Sequence, residues 1–82
     1  MKYTPQPKDL ERIANDFKYH KPHSQDQQDR YGEVRYGCHY LAKDLLALCP
    51  PSRELSLALT NLEQVMFWAN ASIARNEKPP TE

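Results

Sequence analysis

Apolar positions fall into three helical patterns divided by prolines. Leu10, Ile13 and Phe17 recur at i, i+3 and i+7, which gives one apolar face to a short helix over about residues 7–18. Tyr31, Val34, Cys38, Leu41, Leu45 and Leu48 step 3-4-3-4-3, a heptad stripe along a helix predicted over about 25–48. Leu55, Leu59, Leu62, Met66, Ala69 and Ile73 step 4-3-4-3-4 along a third helix, about 53–76. Pro5 and Pro7 precede the first pattern, Pro22 separates it from the second, Pro50-Pro51 stand before the third and Pro79-Pro80 end it. Proline disfavours helical geometry in the residue before it and cannot donate an interior helix bond. Ser24 with Gln27 reads as a capping box, and Ser52 as the N-cap of the third helix.

The two long stripes are of similar length and are joined by the short link Cys49-Pro50-Pro51-Ser52, so the expected neighbours are antiparallel. The predicted fold class is all-α: one domain over 1–82, a short N-terminal helix followed by a long antiparallel helical hairpin. The third helix also carries Leu57, Val65, Phe67, Trp68 and Ala71 off its stripe, so it is apolar nearly all round. One partner helix cannot cover such a surface, and assembly into a compact homo-oligomer is the expected solution. The competing solution is that helix one folds back over it. Gly32 and Gly37 lie inside helix two, each at a cost of about 1 kcal/mol against Ala. A close approach of another backbone or a ligand would account for them; so would drift in a long helix.

Composition narrows the possibilities. At 82 residues, a single core is marginal, which strengthens the case for assembly. Eleven basic side chains balance eleven acidic ones, so no overall field draws the chain to polymeric nucleic acid or to an anionic membrane. No apolar run approaches the roughly 20 residues of a membrane-spanning helix, and the start has no apolar signal segment. Cys38 and Cys49 on one helix would stand about 16 Å apart along its axis, too far for a disulfide. A soluble protein of a reducing compartment is the expectation. No CxxC or HxxxH spacing supports a metal, no Gly-rich loop a phosphate, and no glycine-flanked serine a nucleophile. The expectation is a non-enzyme without cofactors.

Candidate chemistry gathers in three places. Phe17-Lys18-Tyr19-His20-Lys21-Pro22-His23 mixes aromatic faces, cations and imidazoles at the junction of helices one and two. Aromatic faces stack on nucleobases and Lys or Arg pairs with phosphates; alternatively Phe17 and Tyr19 simply anchor helix one. Arg35, Tyr36, His39 and Tyr40 lie off the seam of helix two. Asn61, Trp68 and Arg75 line up on helix three, and Arg53 opens it, where the helix dipole favours an anion.

The run from Cys49-Pro50-Pro51-Ser52-Arg53-Glu54-Leu55-Ser56-Leu57-Ala58 through Trp68-Ala69-Asn70 to Ile73-Ala74-Arg75-Asn76 closely resembles the C-terminal helix of a phage hairpin-domain family. Phe17-x-Tyr19-His20-x-Pro22 and Arg30-Tyr31 with Arg35 are similar to it too, so the resemblance spans about residues 15–77. Members are sponges that defeat the CBASS and Thoeris antiviral defences by binding cyclic nucleotide signals without cleaving them. The length suits the short, anti-CBASS type. The resemblance implies a compact hexamer with pockets between protomers, and action in the cytoplasm of the infected host cell. Implied ligands are cyclic dinucleotides, cyclic trinucleotides or glycocyclic ADP-ribose. It places the Tyr19-His20 pair over the ligand, Arg35 near a basic position facing its phosphates and Arg75 near the site of larger ligands, with Arg53 and Asn70 as matching motif residues and Pro22 as a candidate from the matching linker motif. Lys21 and Tyr36 are this chain's own, and with Trp68 complete the candidate set. The alternative is a helical oligomerisation or adaptor protein with no small ligand.

Overall fold

The structure, a computed structural model, describes residues 2–78. The described residues form three helices and no strand: α1 (Pro7–Phe17), α2 (Gln25–Leu48) and α3 (Arg53–Asn76). Each boundary has a local cause. Pro7 occupies the first turn of α1, where its missing N–H is no loss. The Ser24 hydroxyl accepts from the Gln27 N–H at 3.0 Å and opens α2. Cys49 stands before Pro50, which holds it extended (φ −117°, ψ 141°), and α2 ends there with the Cys49 N–H on the Leu45 carbonyl. The Ser52 hydroxyl accepts from the Leu55 N–H at 3.1 Å and opens α3. Glu77 is extended just past Asn76 and closes α3. The expectation that Pro79-Pro80 end this helix lies outside the described residues.

The capping box at Ser24 departs from its usual form. The Gln27 side chain passes over the Ser24 N–H and accepts from the His23 N–H instead, at 3.0 Å. This ties the approach segment to α2 one residue further out.

α2 and α3 pack against each other. Contact runs from the four-residue link at one end to Arg30 and Glu77 at the other. Along α3 every residue of the predicted stripe is at least half-buried, and Leu55 is 8% exposed. Along α2 the seam runs Tyr31, Val34, Cys38, Ala42, Leu45, Cys49, with Leu41 and Leu48 exposed. The heptad reading of α2 is corrected here. A straight helix repeats every 3.6 residues and drifts about 20° per heptad, so the contact passes from Leu41 to Ala42 and from Leu48 to Cys49. Cys38 and Cys49 are both free thiols.

α1 meets the rest only by its end. Asn15 donates its amide to the Arg75 carbonyl at 3.1 Å, and Arg75 reaches the Asp16 carbonyl at 3.3 Å. Leu10, Ile13 and Phe17 stay exposed, Phe17 at 87%. The idea that helix one folds over the apolar excess of α3 is therefore overturned for the single chain, as is the idea that Phe17 and Tyr19 anchor it. The molecule measures 48 × 42 × 13 Å with a radius of gyration of 17.3 Å; a compact chain of this length has about 12 Å. Its accessible surface is 7064 Å², against about 5,100 Å² for a compact monomer of its mass. Leu57, Val65, Phe67 and Trp68 on α3 join Leu41, Leu46 and Leu48 on α2 as exposed apolar surface.

A Cβ added at Gly32 or Gly37 would meet nothing within 4 Å in the same chain. Close approach within one chain is thus not the reason for either. Gly37→Ala is expected to stabilise the free helix by about 0.5–1 kcal/mol in chemical denaturation; a loss of stability instead would mark another chain packed on that face.

Candidate functional site

The linker between α1 and α2 forms one wall of a concavity of about 830 Å³. Lys18, Tyr19, His20, Lys21, Pro22 and His23 come from the linker; Tyr31 comes from α2 and Ala74 to Lys78 from the end of α3. Two anchors stretch the linker across this space. On the α1 side, the His20 Nε2–H donates to the Asn15 carbonyl at 2.7 Å, and Arg75 pairs with Asp16 at 3.7 Å. On the α2 side, His23 is held by Gln27 through its N–H at 3.0 Å and its ring Nε2 at 3.1 Å.

Gln27 is the fully buried polar side chain of the structure, at 2% exposure. Besides His23, its amide donates to the Glu77 carboxylate at 3.2 Å. Arg30 grips the same carboxylate with two guanidinium nitrogens, one at 2.8 Å, and Asp26 with its Nε at 2.9 Å. A fork of this kind is the stronger form of ion pair. The Arg30 hydrogen bonds pull the Glu77 carboxyl down to about 2, against a partial upward push from burial; the same pairing raises Arg30. Burial first, then the Glu77 charge, raises the Tyr31 phenol.

The linker's cleft carries Lys18, Lys21, Arg75 and Lys78; the lining carboxylate Glu77 is held by Arg30, and Asp16 pairs with Arg75. Tyr19 is 82% exposed and presents its ring to the cleft without a packing duty. Arg75 lies 5.9 Å over the Trp68 ring. Positive charge, one free aromatic face and hydrogen-bonding groups together suit a planar anion. A second groove of about 450 Å³ shares Tyr19, His20 and Arg75 and adds Phe67 and Asn70. The Asn70 Oδ1 is buried there with no partner in the chain.

The ten sequence candidates are thus divided. Tyr19, His20, Lys21, Pro22 and Arg75 share the cleft; Asn70 joins through the adjoining groove, and Trp68 through Arg75. Arg35 and Tyr36 lie elsewhere, in a shallow groove of about 460 Å³ with His39, Tyr40 and Lys43. There the Tyr36 and Tyr40 rings stand 5.3 Å apart and Lys43 lies over Tyr40 at 5.8 Å. Arg53 is at the opposite end of α3, about 33 Å from Arg75 along the axis, so one chain does not unite them. Sequence reasoning missed Asn15, Asp16, Tyr31 and Glu77 as parts of the site and Gln27 as its hub. The Ser24-x-x-Gln27 spacing marked Gln27 as polar and local; nothing local marks a partner 50 residues away. No group of three or more potential metal ligands occurs among the described residues.

The described residues define a small all-helical chain with a cation- and aromatic-lined cleft. The family model "Acb2/Tad1, hairpin domain" matches residues 9–74, and the chain belongs to that family, the anti-CBASS and anti-Thoeris sponges. It is a family of binding proteins rather than of enzymes. No curated protein and no solved structure matches the chain. No helix among the described residues is long and apolar enough to cross a membrane.

The lowered Glu77 carboxyl carries a sign. Its contribution to folding is full above the ordinary carboxylate range, about 4.5, and is lost as pH falls through about 2. Stability measured from pH 6 to pH 2 should fall more steeply in the parent than in Glu77→Gln. Parallel curves would remove Glu77 from the acid response.

Proposed function

We propose that this chain sequesters a cyclic nucleotide signal, without cleaving it, in the cleft between the linker and the end of α3. The single observation that carries this reading is the convergence of Tyr19, Lys21 and Arg75 on one concavity in a member of a sponge family. Candidate ligands are cyclic dinucleotides, cyclic trinucleotides and glycocyclic ADP-ribose. Each offers planar bases and paired phosphates to a site of stacking faces and a few cations. Stacking supplies about 1–3 kcal/mol per base. Capture needs affinity and no general acid or base, and blocking a CBASS or Thoeris effector in the infected cell's cytoplasm follows from capture alone.

The working unit of this reading is a helical hairpin, one domain, assembled as a homo-oligomer, with a hexamer as the expected size. Support comes from the excess of exposed apolar surface and from a molecule only 13 Å in its least dimension. Assembly also offers a route for Arg35, Tyr36 and Arg53 to reach a ligand, since copies can bring together what one chain keeps apart. The exposed surface alone would serve an adaptor equally well; the linker's exposed Tyr19 and its flanking lysines favour the ligand.

Calorimetric titration of the purified chain with members of the three ligand classes tests the reading. Binding of at least one is expected, with the ligand recovered intact after heat denaturation. No binding to any would sink the sponge reading, and a cleaved product would replace it with a hydrolase. Tyr19→Ala removes an exposed ring, so it should leave folding intact and weaken binding by about 5- to 150-fold, the equivalent of one lost stack. Light scattering should give a mass several times that of one chain; a monomer would refute the assembly.

A further inference from the structure

We propose that Gln27 is the positioning residue of the cleft, and that both of its bonds to the linker stand only while His23 is neutral. This rests on the ligand reading above for its consequence, though not for its geometry. The Gln27 amide has one oxygen and two N–H bonds, and each is engaged. Its oxygen accepts from the His23 N–H, and its nitrogen donates to Glu77 and to the His23 ring. Turning the amide over would set its oxygen against the Glu77 carboxylate and its N–H groups against the His23 N–H. Both contacts would be repulsive, so the network fixes the orientation.

That orientation dictates the state of His23. Because Gln27 donates to it, Nε2 must carry the lone pair and the ring proton must sit on Nδ1. The His23 Nδ1 is buried with no partner among the described residues, so none of them offers a competing acceptor to set the tautomer. An imidazolium would place an Nε2–H against the Gln27 N–H, donor against donor. The charged and titratable groups that line the cleft with His23 are Lys18, Tyr19, His20 and Lys21 on the linker, Tyr31 on α2, Arg75 on α3, and Glu77 and Lys78 beyond it, with Arg30 of α2 on Glu77. Glu77 alone would welcome a cation, and Arg30 already satisfies it on two oxygens. Protonation therefore costs the ring's half of the tie between linker and α2 and leaves the His23 N–H on the Gln27 oxygen as the other half. Lys18, Tyr19 and Lys21 stand on the stretch that this tie holds, so loosening it misplaces the groups that would face a ligand.

The test uses the full chain, with cyclic di-AMP, cyclic tri-AMP and glycocyclic ADP-ribose as probes. Gln27→Met should weaken the probe that binds best by about tenfold, mainly through faster dissociation, with the assembly mass unchanged. Affinity should be lower in acid, where the imidazolium forms, than where the ring is neutral. His23→Gln, which offers an acceptor where Nε2 lies and does not titrate, should flatten the profile. Equal affinity of Gln27→Met and the parent would overturn the proposal, as would a pH response that persists in His23→Gln. A ligand-independent readout separates this from the sponge reading: nitrogen NMR should find His23 with its proton on Nδ1. The Nε2–H tautomer would overturn the proposal whether or not any probe binds. If no probe binds but the tautomer is as stated, the sponge reading fails and the Gln27 tie stands.

Discussion

Two 24-residue helices laid side by side bury only the stripe between them, and a third helix attached by its end adds no lid. The least dimension of 13 Å is little more than one helix diameter. Leu55 is the buried apolar residue of such a layer, and seven large apolar side chains of α2 and α3 face outwards. Hydrophobic burial near 25 cal/mol per Å² cannot stabilise a chain that leaves so much surface in water. The same constraint governs the linker. It cannot rest on a core, so polar ties at its two ends must hold it.

Those ties explain why the most buried side chain is a glutamine. In a thick domain, a buried amide is an exception surrounded by hydrocarbon. Here it lies where three chain segments meet at the edge of a thin layer, and no apolar side chain could satisfy a backbone N–H, an imidazole and a carboxylate together. Glu77 brings the end of α3 to this junction and Arg30 brings the first turns of α2. Removing one member would leave the others buried without partners, which costs more than the bond itself gains. The cleft is thus shaped by polar geometry more than by packing.

Helix existence and limits were legible in the sequence because prolines, serine caps and apolar spacing act locally. The seam of α3 was legible for the same reason. The seam of α2 was not, because a stepping pattern of 3 and 4 fits a heptad and a straight helix equally well until the chain is long enough to drift, and Ala42 and Cys49 are quiet residues beside Leu41 and Leu48. Half of the candidate site was legible: Tyr19, His20, Lys21 and Pro22 are contiguous, so the linker carries them as a group. Its other wall was not. Arg75 could be singled out, yet its pairing with Asp16 and the reach of Glu77 to Gln27 join residues 50 or more apart, and no local pattern encodes them. Arg35, Tyr36 and Arg53 have the right chemistry, and one chain places them elsewhere.

Charge neutrality takes on a different meaning once the cleft is known. Counted over the chain, basic and acidic side chains cancel, and screening over about 8–10 Å removes whatever long-range field remains. Within the cleft the balance is local: Lys18, Lys21 and Lys78 stand beside Arg75, which Asp16 pairs, and Glu77, which Arg30 holds. A small anion inside the cleft senses those groups at contact distances, where screening is weak, whereas a polymer passing over the surface senses the sum. If the cleft is the ligand site proposed above, this arrangement would separate small anionic ligands from nucleic acid strands by range alone, without a clash or a gate. It also removes the need for a basic protein, whose mutual repulsion would oppose the close packing of copies that its exposed apolar faces favour.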